Sequence, residues 1–251
     1  MYISIDLDDT LLNKKKELSE YNLTVLKKCQ ELGHKIIINT ARNHYLAKTM
    51  IDKIDFDYFV LNAGSQILNS KKEQIITYPI DNSILENLVN DLKQYSSVVS
   101  LQDDMILYST EENPKRPDIV TYDFSNGYPH PCYKILVKTV EQEAIKKIAA
   151  KYNLDFVNYL NGLFCRINNI NATKWKAIEN IIAYDFGNFE VISFGDDYGD
   201  LEMLEKSTVG VAMANSVPYV LDKIKVHAES NDEDGVGKFL VNYFKLNIWG
   251  E

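Results

Sequence analysis

Asp6 and Asp8 stand two positions apart in Asp6-Leu7-Asp8-Asp9-Thr10, directly after a short apolar run. Carboxylates so spaced, where a chain leaves a sheet, can face one site; one attacks phosphorus while the other moves a proton. Alone, the stretch reads as readily as an acidic turn or helix cap. Thr40-Ala41-Arg42 offers a hydroxyl beside backbone N–H groups, able to hold a phosphoryl oxygen, although such a threonine is more often a helix cap. Lys174 opens a helical pattern, where an ammonium and a helix N-terminus both favour a phosphoryl group. A lone lysine is usually just solvated. Gly195-Asp196-Asp197-Tyr198-Gly199-Asp200 gathers carboxylates on a turn. Hard oxygens suit Mg²⁺, which takes one or two protein carboxylates plus water and substrate phosphate.

These groups need elements to position them. Tyr2 to Ile5, Lys35 to Asn39, Tyr58 to Leu61, Glu190 to Phe194 and Val209 to Met213 are apolar runs of strand length. Ser19 is placed to cap a helix with Val25, Cys29 and Leu32 on one face, and Gly33 to stop it. Thr173 to Tyr184 reads as another helix. The alternation predicts an α/β fold, a Rossmann-like doubly wound parallel sheet. Ligands of such sheets bind beyond the carboxyl ends of the strands. Asp6, Thr40, Asn62, Asp196 and Asn215 each follow an expected strand end.

The rhythm breaks over 81–165. A polar loop, Glu111 to Pro131, precedes a strand-like Tyr133 to Lys138 and a helical Val140 to Lys151. This segment reads as an inserted α/β module, leaving 1–80 and 166–251 as the core.

The formal net charge of -9 argues against duplex nucleic acid as a partner. A phosphorylated ligand would need a divalent cation and a few placed Lys or Arg residues to overcome that field. Cys29, Cys132 and Cys165 are sparse and unpaired in spacing, which fits a reducing compartment. The opening MYISIDLDDT does not read as a secretory signal, and no apolar stretch approaches the ~20 residues that span a bilayer. A cytoplasmic protein with a small-molecule partner, no membrane and no nucleic acid is the expectation. His34, His44, His130 and His227 are scattered, without metal-ligand spacing.

In order, Asp-x-Asp-x-Thr, Thr, Lys and Gly-Asp-x-x-x-Asp resemble the haloacid dehalogenase superfamily, in particular its Cof-type branch of small-molecule phosphatases. Val211 to Asn215 and Ser230 to Val236 look like that branch's closing segments. The resemblance implies that Asp6 is the nucleophile, Asp8 the general acid and base, Thr40 the phosphoryl ligand, and Lys174 the neutralising cation. Asp196 would hold Mg²⁺ with the Asp6 carboxylate and the Asp8 backbone carbonyl, with Asp200 supporting that shell. Arg42 and Asn43, which read equally as a surface pair at a helix start, are expected substrate contacts, as are Asn62 and Asn215.

An acid at Asp8 sets the chain apart from the dehalogenase and ion-pumping members. It favours hydrolysis or mutase chemistry, and the resemblance as a whole makes the leading expectation a Mg²⁺-dependent phosphohydrolase acting, through an aspartyl phosphate, on a sugar phosphate or a nucleotide-type cofactor. The alternatives are a phosphomutase and a non-catalytic phosphometabolite-binding protein. The inserted module corresponds to the branch's cap domain, with specificity expected in the Glu111 to Pro131 loop. Ala41, Trp175 and Gly199 depart from the family's Gly, Gly and Asn. Trp175 is expected to narrow the entrance, and Gly199 to remove an amide near the metal shell.

Overall fold

Short isoleucine-rich runs build the centre of the core sheet because such strands can be covered on both faces. The computed structural model describes residues 1–52, 55–159 and 162–247. The first part of the core runs β1 (Tyr2–Ile5), α1 (Glu20–Glu31), β2 (Lys35–Asn39), α2 (His44–Ile51), β3 (Tyr58–Leu61), β4 (Gln66–Asn69) and β5 (Gln74–Thr77). The inserted module follows as α3 (Asn82–Lys93), β6 (Val98–Gln102), β7 (Leu107–Ser109), β8 (Ile119–Thr121), β9 (Lys134–Lys138), α4 (Gln142–Lys151), β10 (Leu154–Tyr159) and β11 (Phe164–Asn169). The chain returns to the core as α5 (Lys174–Tyr184), β12 (Val191–Gly195), α6 (Leu201–Lys206), β13 (Val209–Met213), α7 (Pro218–Lys223), β14 (Val226–Ala228) and α8 (Gly235–Phe244).

Among the described residues the core sheet has eight strands in the order β14-β13-β12-β1-β2-β3-β4-β5. The first six are parallel, whereas β4 and β5 are antiparallel additions at one edge. The parallel expectation therefore stops at β3. Turn residues Asn62 and Ala63, both at positive φ, reverse the chain there, and the short β4 carries no pattern distinctive enough to announce it.

Alternation along β2 shows how both faces are covered. Ile36 and Ile38 pack with Leu26, Phe59 and Phe194 on one side, while Ile37 joins Val60, Ile178 and Ile181 on the other. Each fully buried side chain of this kind contributes about 1.5–3 kcal/mol. Helix α1 is fixed at its start by Ser19 Oγ, which accepts the Asn22 N–H at 3.0 Å. It ends against Gly33 at φ +85°, the left-handed position where glycine is least strained.

Among the described residues the cap has its own six-stranded sheet, ordered β10-β11-β9-β6-β7-β8, with a separate apolar core that includes Leu88, Val99, Ile135, Val137, Ile145 and Ile167. Strand β11 pairs with β10 as far as Asn169, so the expected boundary at 165/166 falls inside a cap strand. The return to the core lies between Asn169 and Lys174.

Candidate active site

The loop after β1 sets the first carboxylates. Leu11 N–H reaches back to Asp6 O at 3.2 Å and Leu12 N–H to Leu7 O at 2.9 Å, with Asp9 at φ 59° between them. Asp6 stays almost fully buried, whereas Asp8 is partly exposed. The core's other site residues arrive on neighbouring strand ends: Thr40 after β2, Asp196 after β12, and Lys174 on the first turn of α5.

Lys174 Nζ donates to Asp6 Oδ1 at 2.6 Å and to Asp200 Oδ1 at 2.5 Å. Burial alone would push the ammonium's pKa down, but Asp200 and Asp6 outweigh it and hold the value above that of an ordinary lysine. The Asn39 amide donates to the Lys174 carbonyl at 2.9 Å and ties the start of α5 to β2. Asp200 Oδ2 accepts the Asp196 and Asp197 N–H groups, each at 3.1 Å. With Oδ1 on Lys174, both Asp200 oxygens are engaged, so this residue shapes the loop and the ammonium. Gly195 lets it approach: a Cβ there would lie 2.4 Å from the Asp200 Cβ.

Thr10 Oγ1 donates to Asp196 Oδ1 at 2.6 Å. Among the described residues, Asp6, Asp196 and Asp200 each bring a carboxylate oxygen within 4.8 Å of the others. Burial raises the Asp6 carboxyl well above the ordinary range, with Lys174 opposing and Asp200 adding to the rise. Burial also raises Asp196, reinforced by the charges of Asp6 and Asp200. One ammonium therefore under-neutralises three clustered carboxylates. This set of hard oxygens fits a divalent cation such as Mg²⁺.

Asp8 is turned another way. Arg42 Nε and Nη2 clamp its two oxygens, both at 2.7 Å, and Lys16 Nζ lies 3.1 Å from Oδ1. Burial raises the Asp8 pKa, but the Arg42 fork and Lys16 outweigh it and keep the carboxyl below its usual range. Thr40 Oγ1 accepts the Arg42 N–H at 3.1 Å, which leaves its hydroxyl hydrogen free to turn toward the cavity.

A cavity of about 220 Å³ opens over these groups, below the roughly 300–1,000 Å³ usual for sites that take drug-sized ligands. Asp6, Asp8, Thr40, Lys174, Asp196 and Asp200 line its core side. Its cap wall comes from strands β9, β10 and β11, through Lys134, Leu136, Val157 and Arg166, and not from the Glu111 to Pro131 loop. Lys134 and Arg166 carried no motif. Each is a charged residue beside apolar neighbours in a cap strand, and only the fold reveals which way that strand faces.

Several of the expected substrate contacts are engaged with other parts of the protein. Arg42 is engaged with Asp8 and donates a further bond to Leu46 O at 3.2 Å. Asn43 caps α2 by accepting the Leu46 N–H at 2.9 Å and donates to Met105 O in the cap at 3.2 Å. Asn62 is wholly buried and donates to Gln66 at 2.7 Å. Asn215 donates to Asp9 O at 2.7 Å and accepts from Asn231 N–H at 3.0 Å, bracing two loops beside the cavity. Asn43 and Asn215 hold backbone in place, and Asn62 holds the Gln66 side chain. Trp175 does not narrow the entrance, since it is buried beneath the sheet with its ring edge-on to Phe189. Its helical position points it to the apolar face of α5.

A family model described as haloacid dehalogenase-like hydrolase matches residues 3–240. The chain is 23% identical to the 5-amino-6-(5-phospho-D-ribitylamino)uracil phosphatase YitU of Bacillus subtilis, with 97% of each chain covered. It is 23% identical to the putative phosphatase YkrA of the same organism, over 93% of this chain and 94% of that one. Among solved structures, a phosphatase of the haloalkanoate superfamily from Bacteroides thetaiotaomicron superposes with a TM-score of 0.85 at 20% identity, covering 98% of this chain and 95% of the other.

Proposed function

The chain belongs to the haloacid dehalogenase-like hydrolases, and from that premise we propose that it is a Mg²⁺-dependent phosphatase of small phosphorylated metabolites working through an aspartyl phosphate. The observation that carries the reading is the buried bridge of Lys174 between Asp6 and Asp200, beside Asp196, at the carboxyl ends of the central strands. A phosphoryl group is transferred chiefly by positioning and charge stabilisation, and this arrangement supplies both.

Asp6 and Asp196 would hold the metal, with the Asp8 backbone carbonyl as a further donor and Asp200 orienting the loop. Bound there, Mg²⁺ would offset the clustered carboxylates and the charge on the phosphoryl oxygens. An Asp6 carboxylate oxygen attacks phosphorus, and the bond to the leaving oxygen breaks. That oxygen takes its electron pair and a proton from the Asp8 carboxyl. Asp8 then removes a proton from water, which attacks the phosphorus and returns Asp6 as a carboxylate with release of inorganic phosphate. Lys174 and the Thr40 hydroxyl steady the phosphoryl oxygens. The Asp8 acid role requires Arg42 to loosen its clamp, which gives Arg42 control over the proton donor in place of direct contact with substrate. A cytoplasmic setting fits the three free, buried cysteines.

The test is phosphate release from a panel of phosphorylated metabolites and an aryl phosphate, with Mg²⁺, with chelator, and with Asp6→Asn. Metal-dependent release that the variant lacks supports the reading. A folded, metal-supplied protein that releases phosphate from none of them sinks it. Isomerisation without net release would instead mark a mutase, and tight binding without turnover a binding protein.

A further inference from the structure

The wall that the cap presents to the cavity is charged with one sign. Lys134 and Leu136 are two apart on β9 and so share one face of the cap sheet. Leu136 lies opposite Arg166 on β11, and Arg166 opposite Val157 on β10. All four line the cavity. The part of that face lining the cavity is therefore two cations set among aliphatic side chains. The acids lining the same cavity all come from the core.

Both cations are expensive to keep there. Lys134 and Arg166 are each 7% exposed, and a buried charge is tolerated only with compensating partners. Lys134 Nζ donates to Ala41 O at 2.8 Å, which uses one of its three hydrogens and places the ammonium beside the phosphoryl-binding Thr40 turn. The charges that bear most on it, after burial itself, are Arg166 and Arg116, and together they push its pKa down to about 7. Asp155 and Asp197 lie within electrostatic reach of Arg166. Among the described residues the Lys134 ammonium bonds to the Ala41 carbonyl and to no carboxylate.

Gly199 belongs to the same construction. Arg166 Nη1 lies 3.5 Å from the place a Cβ would occupy at Gly199. A side chain longer than alanine there would compete with the guanidinium for its position. The glycine standing where the family usually has asparagine thus leaves room for a cation at the mouth of the metal loop.

We propose that Lys134 and Arg166 form an anion subsite for the leaving group, so that the preferred substrate is a phosphate monoester whose organic part carries a second anionic group, a carboxylate or another phosphate. The inference rests on the hydrolytic reading above and narrows it. Within the two expected substrate classes, this selects members that carry a further phosphate or carboxylate beyond the ester cleaved, and disfavours a simple sugar monophosphate or a cofactor with a single phosphate. Arg166 supplies a planar fork suited to either oxyanion, Lys134 a point charge, and Leu136 and Val157 cover the apolar part of the leaving group. Binding the anion also restores full protonation of Lys134.

The test compares matched esters: para-carboxyphenyl phosphate against para-carbamoylphenyl phosphate, and a diol bisphosphate against its monophosphate. Turnover of the neutral esters reports the hydrolytic reading alone; the ratio within each pair reports the subsite. The pair with the larger ratio identifies carboxylate or phosphate as the recognised group. We expect kcat/KM to favour the anionic member of one pair by roughly 10- to 100-fold, about the worth of one charge-assisted hydrogen bond. Arg166→Gln and Lys134→Met should collapse that ratio toward one, and Arg166→Lys, which keeps the charge, should retain most of it. If turnover is absent, the same ratio is read as relative affinity of Asp6→Asn for the paired esters. Ratios near one in both pairs, or a ratio that the charge-removing variants leave intact, would overturn the proposal.

Discussion

The Lys174 ammonium sits 2.6 Å from the Asp6 carboxylate, with the two side chains only 5% and 9% exposed. A buried pair recovers its desolvation cost only while both partners remain. Lys174→Met would leave Asp6, Asp196 and Asp200 clustered without their ammonium. We expect it to lose roughly 3–5 kcal/mol of stability in urea without metal, and to regain part of that in saturating Mg²⁺. A variant as stable as the parent would mean that the acids are neutralised by something other than this lysine.

Asp8 and Arg42 make a separate prediction about pH. Asp8 must be protonated to give its proton to the leaving oxygen, and Arg42 with Lys16 holds its pKa down against burial. Arg42→Gln removes the main lowering partner, so the Asp8 pKa rises and the protonated form persists to higher pH. The alkaline limb of kcat/KM for an alkyl phosphate should therefore move upward. Asp8→Asn should cost about 10²–10⁴-fold on alkyl phosphates and less on para-nitrophenyl phosphate, whose leaving group needs little protonation. An unmoved pH limb in Arg42→Gln would detach Arg42 from the proton donor.

Metal affinity should also depend on pH. Burial and mutual repulsion raise the Asp6 and Asp196 carboxyls in the metal-free protein. Both must be ionised to bind a cation, so binding releases protons that an ordinary carboxylate would already have lost. Mg²⁺ affinity is expected to strengthen as pH rises from about 5 to 9, levelling once both groups are ionised. Calorimetric titrations in buffers of different ionisation enthalpy would count the protons. Affinity that stays flat below neutrality would contradict the raised carboxyls.

Two glycines four residues apart should behave differently. A Cβ at Gly195 would lie 2.4 Å from the Asp200 Cβ, while one at Gly199 meets only Arg166 at 3.5 Å. Gly195→Ala should cost about 1–3 kcal/mol and weaken metal binding by displacing Asp200. Gly199→Ala should leave thermal stability near the parent's. Equal thermal shifts would show that the loop, and not Asp200, absorbs the strain.

Much of the core was legible because its strands are short, apolar and punctuated by polar residues. Lys35–Asn39, Tyr58–Leu61 and Val209–Met213 appear with the expected limits. The charged groups Asp6, Lys174, Asp196 and Asp200 meet in one cavity as their order along the chain implied. The asparagines were harder. Asn43, Asn62 and Asn215 follow strands just as the catalytic candidates do, but an amide at a strand end serves equally well to tie down backbone or a neighbouring side chain. Lys134 and Arg166 were beyond reach, since their shared role depends on the register of β9 with β11.

If phosphorus passes through Asp6 as proposed, an aspartyl phosphate can be trapped there. Asp8→Asn, slowed in hydrolysing the aspartyl phosphate, would be mixed with an aryl phosphate and Mg²⁺, quenched in acid within milliseconds to seconds, and digested for mass spectrometry. A phosphate on Asp6, absent with chelator and in Asp6→Asn, is the expected result. Phosphate release by the parent enzyme with no labelled Asp6 peptide at any quench time would instead mean direct attack by water, and Asp6 would lose its place as the nucleophile.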